Sequence, residues 1–374
     1  MYIRPGDTTL THGLLLNFPG EVFIETGTSD GNGVQTALEC GFSKVWSIEI
    51  DPAKVIDARE RFSSFISRDI VAIYEGDSLH LLSHLVNQIQ DRKATFWLDA
   101  HWDNGTVGEK KCPLYEELLA IAGHIRSDHN ILIDDRRIFG LPGSNWGAGI
   151  AEKALDQMCF KINPKYHKRY HNGVVPDDII SYSQHSYCTV IIDAGAHKGE
   201  ATNYLLSKYP GSYVIQFEPA RALYDDLFRR SLSLSNVLVS SLAVAGTNGK
   251  RLFTSDHPTS QGGTIAPAHN SVVDNWTPEL YDSSEVQCFK LSEYLSNISD
   301  TSLSVILKLD IESAEYEVLD DILSSKSLAR PIKEIYCEFH SRYMNDDVKD
   351  YYVHREKMIA SVCASYGIPM HIWH

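Results

Sequence analysis

The two halves of the chain share one pattern of apolar and polar positions. Each half contains a β-rich apolar run that ends in an acid, with a glycine two residues later and another six residues later. These positions are Glu25, Gly27 and Gly31 in the first half and Asp193, Gly195 and Gly199 in the second. Because a strand followed by a glycine turn is typical of α/β proteins, the pattern predicts the same opening unit twice.

The segment after each glycine turn extends the repeat. A helix-like stretch follows, and then a second strand that again ends in an acid. This second acid is Glu49, 24 residues after the first, or Glu218, 25 residues after it. Strand, glycine turn, helix, strand and acid together form the nucleotide-binding βαβ unit. Its duplication predicts two domains, residues 1–185 and residues 186–374.

Further strand-like segments alternate with helical ones in both halves. In the first half they are 69–74, 94–99, 130–135 and 178–183, the last as a final edge strand. In the second half they are 236–242, 304–310 and 332–339. The alternation predicts an α/β protein with two Rossmann-like domains in tandem, each a largely parallel sheet flanked by helices. Residues 254–285 are predicted to be an insertion, either a lid or a mobile loop.

Composition and charge narrow the range of partners and compartments. Acids outnumber bases 49 to 34 and the formal net charge is −15, which disfavours nucleic acid as the main partner. The chain shows no signal-peptide pattern and no window with the ~20 apolar residues of a membrane span. Its seven cysteines form no C-x-x-C pair, which argues against a thiolate zinc site. We therefore expect a cytoplasmic protein, and the sequence indicates no oligomeric state.

The acid that ends each first strand distinguishes both turns from the G-x-G-x-x-G of dinucleotide oxidoreductases. E-x-G-x-x-x-G and D-x-G-x-x-x-G resemble motif I of class I S-adenosylmethionine (SAM)-dependent methyltransferases. This resemblance implies two class I methyltransferase domains that bind SAM, with Glu49 and Glu218 on the ribose hydroxyls and Asp77 near the adenine. The implied cofactor-binding residues are Glu25, Gly27, Gly31, Glu49, Asp77, Asp193, Gly195, Gly199 and Glu218.

The second half carries a more specific set of motifs. Five segments follow one another in the order found in the FkbM family, namely 193–199, 217–219, 286–293, 307–315 and 338–340. The second half is similar to this family over most of residues 188–345. The resemblance implies O-methylation of a sugar or a polyketide-like hydroxyl. One position departs from the pattern, because Ser313 stands where the family usually has glycine.

The first half is similar to the macrocin-type, metal-dependent sugar O-methyltransferases, through segments 97–103 and 131–135. That family usually has D-G-D where this chain has Asp99, Ala100 and His101. Carboxylates at neighbouring strand ends suit Mg²⁺, so the predicted metal ligands are Asp99, Asp134 and Asp135, and the predicted catalytic residues are Asp99 and His101. Alternatively, the acid pair caps a strand and forms ion pairs with Arg136 or Arg137.

The second half offers its own acid–base groups near the predicted strand ends, namely Asp310, Glu312, Glu315, Glu338 and His340. Asp310 and His340 are the predicted catalytic residues, since a histidine can act as a general base near neutral pH. The alternative for His340 is a structural role. His197 is predicted either to contact ligand or to lie in solvent, and residues 166–171 either to stack on sugar rings or to form a surface hairpin.

The leading hypothesis is a bifunctional SAM-dependent O-methyltransferase that acts on sugar hydroxyls of a glycan or glycoconjugate. The alternative is that one domain is catalytic and the other is a non-catalytic glycan-binding or scaffold module. An NAD-dependent sugar oxidoreductase is disfavoured, because the dinucleotide fingerprint is absent from both glycine turns.

Overall fold

The computed structural model describes residues 9–100, 112–139, 151–184, 187–234, 236–255, 263–266, 282–298, 303–344 and 346–373. The chain divides into two compact units. The first unit comprises residues 1–38 and 42–185, and the second comprises residues 39–41 and 186–374.

The described strands of the first unit are β1 Val22–Thr26, β2 Lys44–Glu49, β3 Val71–Glu75, β4 Ala94–Leu98, β5 Asn130–Ile133, β6 His167–His171 and β7 Ile179–Ser183. The helices are α1 His12–Leu15, α2 Asn32–Glu39, α3 Pro52–Arg61, α4 Ser63–Ile66, α5 Ser78–Gln88, α6 Leu114–Ala122 and α7 Glu152–Ile162. The strands form one sheet in the order β3-β2-β1-β4-β5-β7-β6. Every residue of β1, β4 and β5 is buried, as expected for parallel strands that are covered on both faces.

The end of this sheet corrects one prediction. Strands β1 to β5 are parallel, whereas β7 is antiparallel to both β5 and β6. The prediction that 178–183 is the edge strand is therefore wrong. Strand β6 covers β7 and forms the edge, because residues 167–171 pair along the whole length of β7.

The described strands of the second unit are β8 Thr189–Ala194, β9 Tyr213–Phe217, β10 Val237–Ser240, β11 Ala243–Ala245, β12 Gly249–Ser255, β13 Asp282–Lys290, β14 Ser304–Leu309, β15 Ile332–Cys337 and β16 Met370–Ile372. The helices are α8 Glu200–Lys208, α9 Arg221–Ser231, α10 Leu291–Ile298, α11 Glu315–Leu323, α12 Lys326–Ala329 and α13 Asp346–Tyr366. Six strands form a parallel sheet in the order β10-β9-β8-β14-β15-β16.

A small second sheet occupies part of the predicted insertion. Strand β13 pairs in parallel with β11 and antiparallel with β12, and Thr254 and Thr264 form an isolated bridge beside it. The remainder of the predicted lid or loop, 256–262 and 267–281, lies outside the described residues.

The predicted fold class is confirmed: both units are α/β, with large and mostly parallel sheets flanked by helices. In each sheet the strand order reverses beside the first strand, between β1 and β4 and between β8 and β14. Ligands of such sheets bind at the carboxyl ends of the strands at this reversal. No described helix combines the length and the apolarity that a membrane span requires.

Candidate functional site

The glycine turns of the two units have the same backbone geometry. The residue two positions after the first glycine, Ser29 or His197, has a φ of 48°. Its N–H donates a 2.8 Å hydrogen bond to the acid of the next strand, Glu49 in the first unit and Glu218 in the second. The repeat seen in the sequence therefore extends to individual hydrogen bonds, and each turn holds its acid at the strand reversal.

Two of the predicted glycines are required by close packing. Gly195 has a φ of 75°, and a Cβ there would lie 1.8 Å from the carbonyl oxygen of Asp310. Gly27 has a φ of 89°, and a Cβ there would lie 2.7 Å from the carbonyl oxygen of Asp99. These turns therefore pack against the end of the neighbouring strand, which only glycine permits.

A cavity of about 720 Å³ opens at the strand reversal of the second unit. Its wall includes Glu218 and five residues of the glycine turn and the start of α8, namely Gly195, Ala196, His197, Glu200 and Ala201. The wall also contains acidic and basic groups, namely Lys308, Asp310, Glu312, Glu338, His340 and Arg342. The volume lies in the range of small-molecule sites, so the predicted cofactor turn and the predicted catalytic residues of this unit line one cavity.

Glu218 is held in the cavity wall by backbone donors. Its carboxylate accepts hydrogen bonds from the N–H groups of His197 at 2.8 Å and Ala220 at 2.9 Å. Burial raises the pKa of Glu218 to about 7 despite these bonds. In the first unit, Glu49 accepts bonds from Ser29, Ile50 and Asp51 in the same manner.

Asp193 lies behind the cavity and is not part of its lining. It is fully buried, and it accepts a 2.6 Å hydrogen bond from Thr202 Oγ1. The Lys308 Nζ lies 3.2 Å from Asp193 and 3.4 Å from Asp310, and it donates a 2.7 Å bond to the Gly195 carbonyl. Burial opposes the charge of Lys308, but the two carboxylates outweigh it and raise the pKa of the lysine.

Lys308 is a residue to which the sequence analysis gave no role. It belongs to segment 307–315 and faces Asp193 across the paired strands β14 and β8. The signal that could have identified it is a lysine within an otherwise apolar buried strand, because such a charge requires a partner.

Glu25 occupies the position of Asp193 in the first unit, but its surroundings differ. The residue opposite it on β4 is Trp97 and not a lysine. Glu25 accepts a 2.7 Å hydrogen bond from Ser47 Oγ. Burial, together with the nearby charges of Asp99 and Glu49, raises the pKa of Glu25 to about 8, so this acid is mainly protonated at neutral pH.

Asp77 begins a helix of the first unit. Its side chain accepts a 2.9 Å hydrogen bond from the Leu79 N–H, which caps α5. The residue follows β3, the strand beside β2, so it lies at the same end of the sheet as Glu49.

His340 lies in a cluster of four carboxylates. Its Nδ1 is 3.0 Å from Glu315, and its Nε2 is 3.3 Å from Glu312, 3.7 Å from Asp310 and 3.9 Å from Glu338. Burial disfavours the imidazolium, but the hydrogen bond to Glu315 and the charges of the other acids overcome it and raise the pKa of His340 to about 9. The structure therefore brings the predicted pair Asp310 and His340 together.

The turn between β14 and α11 shows what the departure at Ser313 means. Glu312 and Ser313 have φ values of 52° and 83°, a left-handed conformation that glycine adopts without strain. Ser313 is buried, and its hydroxyl has no hydrogen-bond partner among the described residues. Serine therefore stands at this position in a backbone conformation that favours glycine.

Replacing Ser313 with glycine is expected to raise the free energy of unfolding by about 1 kcal/mol, because relief of left-handed strain exceeds the added backbone entropy of glycine. Urea denaturation of the two proteins measures this difference. Ser324→Gly is the matched control, since Ser324 has a φ of −59° at the end of α11 and should lose stability. A Ser313→Gly protein less stable than the wild type would contradict the expectation.

Two of the three acids predicted as metal ligands, Asp134 and Asp135, lie close to Asp178 at the carboxyl end of β5. Carboxylate oxygens of Asp134, Asp135 and Asp178 lie within 4.8 Å of one another. Burial and the charges of Asp99 and Asp135 raise the pKa of Asp134 well above its usual value. Asp178 is a member that the sequence analysis missed. Because β7 is antiparallel, the residue that precedes it reaches the carboxyl end of β5, and only that strand direction could have identified it.

Arg137 neutralises part of the negative charge of the three aspartates. It forms an ion pair with Asp135 at 2.6 Å and another with Asp178, whereas Arg136 pairs with Glu152 at 2.8 Å. The ion pair that was the alternative to a metal site is thus present for Asp135. His101, the other predicted catalytic residue, lies outside the described residues.

The cluster at 166–171 forms part of the edge strand. Lys168 pairs with Glu152 at 2.5 Å and with Asp156 at 2.7 Å. The Tyr170 ring lies beneath the Arg136 guanidinium at 4.6 Å. These contacts agree with the surface-hairpin interpretation of the segment.

Comparison with known proteins finds one family model that matches most of the second unit. Residues 193–361 match the methyltransferase FkbM domain. Methyltransferase 1 of Beauveria bassiana (strain ARSEF 2860) is 29% identical over 201 residues, which cover 50% of this chain and 72% of that protein.

Solved structures with lower sequence identity are also similar. A methyltransferase of Podospora anserina bound to S-adenosylhomocysteine (SAH) is 16% identical, with a TM-score of 0.31, over 45% of this chain and 73% of its own. An rRNA methylase of Streptococcus thermophilus is 13% identical, with a TM-score of 0.31, over 46% of this chain and 93% of its own. Residues 193–361 of the second unit are thus similar to the methyltransferase FkbM domain, the family that the motifs of this half resemble.

Proposed function

We propose that the chain is a SAM-dependent O-methyltransferase whose second unit methylates a hydroxyl of a sugar or glycan. The observation that carries this proposal is that Glu218 and His340 line the same cavity. Glu218 is suited to hold a ribose, and His340 is suited to take a proton. We further propose that it acts in the cytoplasm, which is consistent with its seven unpaired cysteines.

The residues of the cavity fit SAM. Gly195 lines the cavity with a φ of 75°, and its lack of a side chain lets a ligand approach the backbone of the turn. Glu218 keeps acceptor capacity for ribose hydroxyls beyond its two backbone bonds. The buried Nε2 of His197 lines the same wall and has no hydrogen-bond partner among the described residues, as expected for a group that contacts a ligand.

SAM, when bound, supplies a methyl group on a sulfonium centre, which an oxygen nucleophile can accept. The side chains of the cavity do the remaining work. Glu218 binds and orients the ribose, and Asp310 and Glu338 orient the acceptor hydroxyl. Neutral His340 takes the hydroxyl proton at Nε2, which makes the oxygen a stronger nucleophile. Because the pKa of His340 is about 9, methyl transfer should become faster as the pH rises towards 9.

The charges of the cavity favour a neutral acceptor over one rich in phosphate. Its wall contains five carboxylates, Glu200, Glu218, Asp310, Glu312 and Glu338. Lys308 is turned towards buried Asp193, and Arg342 pairs with Glu338. Since these five carboxylates outnumber the lysine and arginine of the wall and a surplus of negative charge repels phosphate, a sugar hydroxyl suits this site better than nucleic acid.

We propose the first unit as a second methyltransferase module, which binds SAM near Glu49 and Asp77 and Mg²⁺ through Asp99, Asp134 and Asp135. The shared turn geometry and the convergence of buried acids support this role, because a divalent cation relieves repulsion between carboxylates. The competing proposal is a non-catalytic glycan-binding module. The neutral state of Glu25 and the ion pairs of Arg137 favour it.

Methyl transfer from SAM labelled in its methyl group to a panel of sugars and glycans tests the function, with and without EDTA. We expect an O-methyl product whose formation by the second unit is insensitive to EDTA. Glu49→Gln and Glu218→Gln separate the units, since two active modules would each lose a different methylation. Absence of SAH binding by the wild type would contradict the proposal.

A pH dependence of cofactor binding follows from Glu218. Its carboxyl is ionised above pH 7 and protonated below it, since its pKa is about 7. Protonation removes an acceptor for ribose hydroxyls, so SAH affinity should fall as the pH decreases through 7. Calorimetric titration of Glu218→Gln should show weaker binding without this dependence. Asp225→Asn, on the exposed helix α9, should retain the wild-type dependence, and an unchanged pH dependence in Glu218→Gln would contradict the assignment.

A further inference from the structure

We propose that Glu315 is the positioning residue of His340: its buried carboxylate fixes the imidazole so that Nε2 faces the cavity. The inference rests on the proposed function, in which His340 takes the proton of the acceptor hydroxyl. It adds a second residue, behind the cavity wall, on which that step depends.

The hydrogen bonds of Glu315 determine the histidine tautomer. Glu315 Oε1 accepts a 2.7 Å hydrogen bond from the Ile311 N–H and lies 3.0 Å from His340 Nδ1. An oxygen that accepts one N–H can accept a second, whereas a carboxylate has no proton to donate. Nδ1 therefore carries a proton, and in the neutral imidazole Nε2 is the atom that accepts one.

The placement of Glu315 separates it from the groups that contact substrate. Its side chain is 0% exposed, and it is not among the residues that line the cavity. His340, Asp310, Glu312 and Glu338 all line it. Its Oε1 carries both contacts, to Ile311 N–H and His340 Nδ1, whereas its buried Oε2 has no hydrogen-bond partner among the described residues. A buried carboxylate is costly, so its placement behind His340 fits a role in orientation.

The local backbone delivers Glu315 to this position. The left-handed residues Glu312 and Ser313 reverse the chain after β14, and α11 begins at Glu315. The bond from the Ile311 N–H closes the turn on the Glu315 carboxylate. The same turn thus supplies Glu312 to the cavity side of His340 and Glu315 to its rear.

The charged groups around His340 come from each neighbouring element. Asp310 follows β14, Glu312 lies in the turn, Glu315 begins α11 and Glu338 follows β15. Two of these acids are themselves paired, Asp310 with Lys308 and Glu338 with Arg342. The Tyr343 ring stacks on the imidazole at 5.9 Å. Glu315 is the acid closest to the ring, so loss of its charge should change the proton affinity of His340 most.

The proton of the acceptor hydroxyl passes from oxygen to Nε2 and then to solvent. While it is on Nε2, the imidazole carries a positive charge, which the carboxylate behind it stabilises. A buried acid behind a catalytic histidine stabilises the imidazolium in this way in other enzymes.

Glu315→Gln tests the proposal, because the amide keeps the shape of the side chain and removes its charge. We expect SAH affinity within about twofold of the wild type and, above pH 9 where His340 is mainly neutral in both proteins, a kcat at least about tenfold lower. The pH at which kcat reaches half its maximum should move to lower values. A ¹⁵N-imidazole titration should show the same direction of change for the pKa of His340. Glu317→Gln, which alters the neighbouring acid that pairs with Arg251, is the matched control.

Three outcomes would overturn the proposal: an unchanged kcat, an unchanged His340 titration, or a loss of SAH binding in Glu315→Gln. If that variant does not fold, Glu315→Asp keeps the charge with a shorter side chain, and its His340 titration should remain raised. If His340 kept its wild-type pKa in a variant without the Glu315 charge, that result would also contradict the proposal. If the wild type transfers no methyl group, the proposed function fails, and the titration still tests the role of Glu315 by itself.

Discussion

Replacing Lys308 with methionine is expected to lower the free energy of unfolding of the second unit by about 3–5 kcal/mol, the usual effect of removing one partner of a buried ion pair. Asp193 and Lys308 are 0% and 2% exposed, so water cannot compensate the carboxylate that remains. The loss also frees the Gly195 carbonyl, which accepts a bond from the lysine. SAH binding should therefore weaken together with stability.

Urea denaturation, with pulsed hydrogen exchange of β8 and β14 to identify the unit that unfolds, measures this effect. The double variant Asp193→Asn/Lys308→Met should recover part of the loss, because it removes both charges. Lys290→Met is the control, since Lys290 pairs with Asp321 at a partly exposed site and should cost less than about 1 kcal/mol. Equal losses for the two single lysine variants would contradict the role of Lys308.

Replacing His340 with glutamine is expected to lower kcat by about 10²–10⁴-fold, the contribution of a general base. Glutamine is polar and of similar length, but it cannot take the hydroxyl proton. SAH affinity should be retained, because the backbone hydrogen bonds that hold Glu218 come from His197 and Ala220 and do not involve His340. Single-turnover methyl transfer and calorimetry separate the two quantities.

His371→Gln is the control for this variant. His371, on the edge strand β16, is a partly exposed histidine whose Nε2 lies 3.1 Å from Glu334. Its replacement should therefore leave kcat close to the wild-type value. If His340→Gln retained full kcat, the proton would have to leave by another group, and Glu312 is the cavity-lining acid closest to the imidazole.

Local pattern was sufficient to predict the elements that open each unit. An apolar run, two spaced glycines and a second acid lie close together in sequence. In the resulting turns, backbone N–H groups donate hydrogen bonds to Glu49 and Glu218. The glycine spacing is informative because positive φ values and close backbone packing leave few other residues possible.

Features that depend on strand direction, or on charges that face each other across strands, could not be predicted from local sequence pattern. The order of β6 and β7, and with it the place of Asp178, follows from an antiparallel pairing that no local pattern specifies. The ion pair of Lys308 and Asp193 joins residues 115 positions apart through the register of β14 and β8. Glu315 was recognised as an acid of the motif, but its burial behind His340 required the turn geometry.

The residues that face the first-strand acids have a consequence for how the two units can change over evolutionary time. Asp193 faces Lys308, whereas Glu25 faces Trp97. Position 193 can therefore lose its acid safely only when position 308 loses its lysine, so substitutions at the two sites should co-vary. Glu25 shares no charge with Trp97 opposite it, so no charge-dependent co-variation is expected between positions 25 and 97. The two similar turns are thus under different constraints.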